Sequence, residues 1–90
     1  MNDIELIDTR VEIVVVYRTS GEILKQVWPL KMKYQGRVIN FTELGLRHPT
    51  IQGKRMIHVF DMSDGTDDYR LEFDAEHLTW SLKAISSGLR

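Results

Sequence analysis

Residues 29–41 read PLKMKYQGRVINF, and this stretch decides the fold because its turn and its apolar pattern predict the same hairpin. Gln35-Gly36 is typical of a two-residue hairpin loop, since glycine readily adopts the positive φ that such loops require. The apolar residues then share one face of the sheet, while Lys31, Lys33 and Asn40 share the other. The predicted cross-strand pairs are Tyr34 with Arg37, Met32 with Ile39 and Leu30 with Phe41.

Alternation of apolar and polar residues continues on both sides of this hairpin and indicates antiparallel β structure. Residues 11–18 contain four consecutive β-branched residues, which predicts a central strand buried on both faces. Residues 22–34 predict a long strand with a bend, bulge or edge at Pro29, because proline cannot donate to the ladder. Thr19–Glu22 is the predicted turn between these two strands.

Three further strands are predicted at residues 54–62, 69–73 and 78–85. The least regular stretch, residues 45–53, is predicted to be a surface loop. The Asp64-Gly65 hairpin leaves two registers open. A two-residue loop pairs Phe60 with Tyr69 and opposes two aspartates, which disfavours it slightly, whereas a longer loop sets Val59 against Tyr69.

The sequence as a whole predicts one all-β domain over residues 1–90. About six strands form a single antiparallel meander, as a rolled sheet or small open barrel of SH3-like or OB-like size. Residues 11–85 form the β core, and residues 74–77 are either a turn or one helical turn before its last strand. Residues 1–10 are either a short strand or a helical turn, and residues 86–90 are expected to be frayed.

Composition excludes several classes of protein. The chain has no cysteine, which excludes disulfides, thiolate zinc sites and a cysteine nucleophile. The longest uncharged apolar run, Ile13–Tyr17, is far shorter than the ~20 residues of a membrane helix. Asp3 and Glu5 stand where a signal peptide would be basic, so we expect a cytoplasmic protein with no membrane partner.

Residues 11–85 resemble a family of small uncharacterised bacterial β-proteins. The resemblance rests on Pro29-x-x-Met32-x-Tyr34-x-Gly36-Arg37, the Asp64-Gly65 hairpin, Tyr69-x-Leu71 and a closing Trp80-x-Leu82 strand. Members of that family more often carry tryptophan where this chain has Tyr34. Modules that look similar occur alone or appended to proteins of DNA damage tolerance. The resemblance implies a fold, but it brings no function and no catalytic residue.

Charge is distributed unevenly although the net charge is −1. Residues 17–58 hold eight bases and two acids, whereas residues 59–76 hold one base and seven acids. Two interpretations are open. The blocks meet in the fold and cancel, which is favoured because small sheets usually mix their charges, or they form a dipolar molecule with a basic side.

The basic interpretation defines a candidate polyanion-binding surface within residues 31–55. Trp28, Tyr34 and Trp80 are the aromatic residues that could stack on bases there. Alternation instead places Tyr34 and Trp80 in the core, whereas it does not assign Trp28 to a face because Pro29 interrupts the pattern. The candidate binding residues are Lys31, Lys33, Arg37, Arg47, His48, Lys54 and Arg55.

Motifs for catalysis or metal binding are absent from the sequence. The acidic stretch Asp61–Asp68 lacks the glycine position of an EF-hand loop and is predicted to be a solvated hairpin. His48, His58 and His77 fall in separate elements without metal-ligand spacing, so no metal or cofactor is expected. We expect His58 to be partly buried with a backbone partner, and His48 to be exposed.

These observations predict a binding module that is not an enzyme. The first hypothesis is a protein-interaction module, most simply a homodimer formed through an edge strand or an apolar sheet face. The alternative is a weak nucleic-acid-binding module that uses the basic surface of residues 31–55.

Overall fold

The computed structural model describes residues 4–18 and 27–87, and the described residues form eight strands and no helix. The predicted all-β class is therefore confirmed. The predicted turn Thr19–Glu22 and the start of the strand predicted at 22–34 lie outside the described residues. The strands are β1 (Ile4–Arg10), β2 (Glu12–Tyr17), β3 (Val27–Tyr34), β4 (Arg37–Asn40), β5 (Glu43–Gln52), β6 (Arg55–Ser63), β7 (Asp67–Asp74) and β8 (Thr79–Ser87).

The strands form two antiparallel sheets instead of the single sheet that was predicted. One sheet has five strands in the order β1-β8-β7-β6-β5, and the other has three in the order β2-β3-β4. There are eight strands and not six because β1 occupies the N-terminal segment that the sequence left undecided, and β5 occupies the predicted loop.

Two corners join the sheets and preserve the meander. At Val11 the chain leaves β1 for β2 while its N–H still donates to β8 (3.1 Å). Between β4 and β5, Phe41 donates to β3 (2.9 Å) and Thr42 donates to β6 (2.8 Å). Within each sheet the strands pair with their sequence neighbours, and β1 pairs with β8, whereas β1 and β2, and likewise β4 and β5, are joined at the corners without pairing. The corners therefore lie at Val11 and at Phe41–Thr42. They do not lie at Pro29, where a bend was one of the predicted alternatives.

The core lies between the facing sides of the two sheets. Leu71 and Leu82, which oppose each other on β7 and β8, have no exposed surface. Burial of such side chains contributes roughly 1.5–3 kcal/mol each to folding. The buried cluster consists of Met32, Ile39, Phe41, Phe60, Met62, Tyr69, Leu71 and Leu82.

The β3–β4 hairpin has the predicted register. Tyr34 pairs with Arg37 and Met32 pairs with Ile39. Both residues of the Gln35-Gly36 loop have positive φ, 51° and 75°, as the tight primed turns require.

Pro29 lies at a bulge, which was one of the predicted alternatives. Val15 pairs with Pro29 and Val14 pairs with Lys31, so Leu30 is an extra residue on β3. The bulge turns Leu30 outward, and its side chain is exposed. The prediction that Leu30 shares the apolar face of this hairpin is therefore wrong.

The β-branched run on β2 is not in a central strand, so that prediction is also wrong. β2 is an edge of the three-stranded sheet. Ile13 and Val15 are partly buried on its inner side, whereas Val14 and Val16 are exposed on the other. A run of β-branched residues favours an extended strand, but it does not require that both faces be covered.

Residues 45–53 were predicted to form a loop, but most of them belong to β5. Gly45 lies at a bulge where the register shifts, and its backbone approaches the carbonyl of Asp61 so closely that a Cβ would lie 3.3 Å from it. Pro49 is tolerated because β5 is an edge strand. The turn comes later than predicted, between Gln52 and Arg55.

The β6–β7 hairpin adopts neither of the two predicted registers. Met62 pairs with Tyr69, and Asp61 pairs with Arg70. Four residues, 64–67, separate the last pair, Ser63 and Asp68, so the loop is longer than the glycine suggested. An ion pair replaces the opposed aspartates of the two-residue register.

The last strand extends further than predicted. β8 includes Ser86 and Ser87, which pair with β7 and are not frayed, and residues 88–90 lie outside the described part of the chain. The predicted turn at 74–77 is present, but it continues through Leu78, which has a φ of 57° and is exposed.

Candidate functional site

The seven basic residues that the sequence selected do not share one face. Lys31, Lys33 and Arg37 belong to the three-stranded sheet. Arg47 and His48 are neighbours on β5, so they point to opposite faces. His48 is partly buried in this strand, which corrects the expected exposed loop position. The residues on the five-stranded sheet and its β5–β6 turn are Arg47, His48, Lys54 and Arg55.

On the five-stranded sheet, acidic and basic side chains meet. Arg70 holds Asp61 through two hydrogen bonds of 2.9 and 3.1 Å. The base of each such pair is compensated by its acidic partner, although exposed pairs of this kind contribute little to stability. The ion pairs are Arg55–Asp74 (2.8 Å), Arg70–Asp61 (2.9 Å) and Lys83–Asp8 (2.8 Å).

On the three-stranded sheet, two lysines point to solvent on the outer face. Lys31 and Lys33 are exposed on β3, and neither forms an ion pair with any residue of the described ranges. Their cross-strand neighbours include exposed Val14 and Val38. Glu12 lies opposite Lys33 in the register. This outer face, which we call the lysine face, is thus both basic and apolar.

The three aromatic candidates for base stacking all pack against the core. Tyr34 and Trp80 are partly buried there, as alternation predicted. Trp28 also contacts the core, but it lies opposite Val16 at the end of the lysine face. The guanidinium of Arg18 lies 5.3 Å from the centre of a Trp28 ring, a cation–π distance.

An apolar groove crosses the outer face of the five-stranded sheet. Its walls are Ile4 and Leu6 on β1 and Leu46 on β5, and the Asp61–Arg70 pair lies on its floor. The groove has a volume of about 640 Å³. The sequence analysis missed this surface, although alternation of Ile4 and Leu6 with polar neighbours was a signal for a strand with one apolar face.

The acidic stretch at the β6–β7 turn is a hydrogen-bonded loop. Oδ1 of Asp64 accepts the N–H groups of Thr66 and Asp67, both at 2.8 Å, and Oδ2 accepts the hydroxyl of Tyr69 at 2.8 Å. Burial raises the pKa of Asp64, but these hydrogen bonds outweigh it and hold the pKa below its usual value. The Asp64 carboxylate is therefore engaged with its own loop.

A second carboxylate organises the β7–β8 turn. Asp74, Glu76 and His77 bring one ligand atom each within 4.8 Å of the others, a spacing that could hold a metal ion. Oδ2 of Asp74 already accepts from Arg55 (2.8 Å) and lies 2.9 Å from Nδ1 of His77. The hydrogen bond from His77 lowers the pKa of Asp74. These contacts explain the cluster without a metal: Asp74 stabilises the β7–β8 turn through His77 and forms an ion pair with Arg55.

Arg47 lies on the inner side of β5. Its Nη2 is 3.4 Å from Nδ1 of His58, and its guanidinium lies 5.4 Å from the ring centre of Phe60. His58 is partly buried, as predicted, but the partner found is this arginine and not the backbone. Burial lowers the pKa of His58, and the charge of Arg47 lowers it further. No sequence signal indicated the inward direction, because the bulge at Gly45 shifts the alternation of β5.

None of the described residues belongs to a helix that is long and apolar enough to cross a membrane. No family model matches the chain, and neither a curated protein nor a solved structure matches it. The family resemblance of residues 11–85 therefore stays a prediction, and the functional argument rests on the surfaces described above.

Proposed function

We propose that the protein is a non-catalytic self-associating module that pairs with a second copy along β1. The observation that carries this proposal is the exposure of Leu6, 84%, and of Ile4, 66%, on an edge strand. Scattered exposed apolar residues are ordinary, but two on one strand beside an apolar groove are typical of an interaction site.

The backbone of β1 supplies the second argument. Among the strands of residues 4–18 and 27–87, β1 pairs with β8 alone, so its other edge presents N–H and C=O groups to which a further strand can bind. An antiparallel edge is complementary to itself under two-fold symmetry, the commonest symmetry of small oligomers. Pairing of two copies would join the five-stranded sheets and bury Leu6 of each copy.

The charges on β1 favour the same arrangement. Glu5 lies near the start of the strand and Arg10 at its end. When two copies run antiparallel, Glu5 of each copy lies beside the half of the partner strand that carries Arg10. The third charge, Asp8, is already held by Lys83 at 2.8 Å.

The test is sedimentation of the wild-type protein and of Leu6→Lys over a range of micromolar concentrations. We expect a concentration-dependent dimer for the wild type and a monomer for Leu6→Lys, because a charged side chain would replace the apolar one that the interface buries. Ile51→Lys is the matched control, since Ile51 is 69% exposed on the other edge strand, β5. A monomeric wild type, or equal loss of the dimer in both variants, would contradict the proposal.

Nucleic-acid binding is the second candidate function, and the lysine face favours it. Lys31 and Lys33 form no ion pair with any residue of 4–18 and 27–87; Glu12 lies opposite Lys33, whereas Lys31 lies opposite Val14, so Lys31 above all is available to phosphates. Arg18 and Trp28 adjoin the same face and add a cation and a ring.

Fluorescence anisotropy of labelled single-stranded DNA and RNA, at low and physiological salt, tests this candidate. We expect binding that weakens with salt, and Lys31→Ala/Lys33→Ala should reduce the slope of log affinity against log salt by about 0.7 per lost contact. Lys54→Ala/Arg55→Ala is the control, because it removes two positive charges from the other sheet. No binding at low salt would reject the candidate.

A further inference from the structure

Arg47 is an uncompensated cation on the inner side of the molecule. Its Nε is buried and has no hydrogen-bond partner. It forms no ion pair with an acidic residue in the described part of the chain. Arg47 is partly buried, and a charged group that loses contact with water is normally paired with an opposite charge, because desolvation of an isolated charge is costly.

The neighbours of Arg47 hold it in place without neutralising it. Phe60 supports the guanidinium with its ring, and His58 offers a nitrogen at 3.4 Å. A neutral imidazole accepts a hydrogen bond but carries no negative charge. The guanidinium is therefore positioned before any anion arrives, which lowers the cost of binding one.

The surroundings of Arg47 are aromatic. His58, Phe73 and Trp80 are cross-strand neighbours on β6, β7 and β8, and all three are partly buried. The ring centres of Phe73 and Trp80 are 4.9 Å apart, and those of Phe60 and Trp80 are 5.2 Å apart. These rings therefore form one connected aromatic cluster with Phe60 and His58, the two residues that contact the guanidinium.

We propose that Arg47 is the centre of a binding site for a small aromatic oxyanion, with the guanidinium holding a phosphate or carboxylate group and the neighbouring rings contacting the organic part. Arginine suits both groups, because its planar fork donates two parallel hydrogen bonds to either of them. This site lies on β5 and is separate from the free edge of β1 and from the lysine face.

The experiment is a titration with phenyl phosphate, benzoate and inorganic phosphate at constant ionic strength. Binding is measured by calorimetry and by tryptophan fluorescence. Phenyl phosphate and benzoate distinguish a phosphate from a carboxylate ligand. We expect saturable binding of at least one of them, tighter than that of inorganic phosphate and at least tenfold weaker in Arg47→Gln. The affinity of Arg47→Lys, which keeps the positive charge but loses the planar guanidinium, should lie between those of the wild type and Arg47→Gln.

Arg55→Gln is the matched control, because Arg55 is a nearby arginine whose charge Asp74 already compensates. It should bind like the wild type. Thermal melting of each variant shows whether it is folded before binding is compared. Absence of saturable binding by both aromatic probes would overturn the proposal. So would unchanged binding in Arg47→Gln, equal loss in Arg55→Gln, or inorganic phosphate binding as tightly as the aromatic probe that binds best.

Discussion

The β3–β4 and β6–β7 hairpins carry the same signal in sequence, a polar residue followed by glycine, but they turn in different ways. Gln35-Gly36 is a two-residue loop held by backbone geometry, with both φ angles positive. The β6–β7 loop spans residues 64–67; one backbone hydrogen bond, from the N–H of Asp64 to the carbonyl of Asp67 (3.3 Å), closes it, and side chains hold the rest. Asp64 accepts hydrogen bonds from the N–H groups of Thr66 and Asp67 and from the Tyr69 hydroxyl.

The difference shows that glycine marks a turn but does not set its length. Asp64 offers the loop local hydrogen-bond acceptors, so the chain adds two residues before the strands pair. Every cross-strand pair then moves with the loop. This shift opposes Asp61 to Arg70 and brings Met62 beside Tyr69 in the core.

The β7–β8 turn supports this conclusion without any glycine. Residues 75–78 form another four-residue loop, and Oδ1 of Asp74 accepts the N–H groups of Glu76 (2.9 Å) and His77 (3.2 Å). An aspartate that accepts from the second and third residues after it thus accompanies both longer loops.

Asp64→Ala should produce the largest effect on the β6–β7 loop. The change removes the acceptor of two backbone N–H groups and of a buried tyrosine hydroxyl. We expect the free energy of unfolding to fall by about 2 kcal/mol, measured by urea denaturation. Thr66→Ala is the control in the same loop, because Thr66 is exposed, and it should stay within about 0.5 kcal/mol of the wild type. Equal losses in the two variants would show that the Asp64 side chain does not hold the loop.

Lowering the pH should weaken the same loop by a smaller amount. The pKa of Asp64 in the folded protein lies below its ordinary value of 3.8, so ionised Asp64 contributes stability above that value. This contribution is lost as the pH falls through the lower folded value. The Asp64→Asn variant has no titratable group at this position. The difference in unfolding free energy between the wild type and Asp64→Asn should therefore shrink below about pH 4, whereas a constant difference would contradict the assignment.

Tyr69→Phe should have an effect about half that of Asp64→Ala. Burial and the hydrogen bond to Asp64 raise the pKa of Tyr69, so its hydroxyl remains a donor. The phenylalanine keeps the ring in the core, where it meets Phe41 edge-on at 5.6 Å. We expect a loss of about 1 kcal/mol. In a double-mutant cycle, Tyr69→Phe should cost much less when Asp64 is already alanine, and additive losses would exclude the coupling.

The sequence predicted the features of the fold that depend on local chemistry. The all-β class, the β3–β4 register and the irregularity at Pro29 follow from alternation, from Gln35-Gly36 and from the missing proline N–H. The errors arose where tertiary context decides. Pro49 and Gly45 suggested a loop, but an edge strand with a bulge accommodates both.

The candidate surfaces were less predictable because they depend on which face a residue occupies. Lys31 and Lys33 were placed on one exposed face by alternation, and they lie there. Arg47 was grouped with them by sequence, but it points to the inner side of the other sheet. The pairing of Arg55 with Asp74 depends on a β6–β7 register that the sequence left open.

Gln35→Asn should give the smallest effect, and it tests the other half of the hairpin comparison. Gln35 has a φ of 51°, a conformation that costs most non-glycine residues roughly 1 kcal/mol and that asparagine adopts more readily. Asn-Gly is the preferred sequence of a two-residue loop, so we expect a gain of about 0.5 kcal/mol in unfolding free energy. Thr66→Asn is the control, because Thr66 does not have a positive φ. A gain at Gln35 alone would mean that backbone strain limits one hairpin while the Asp64 side chain sets the other, whereas equal gains would show that asparagine stabilises both loops by some other route.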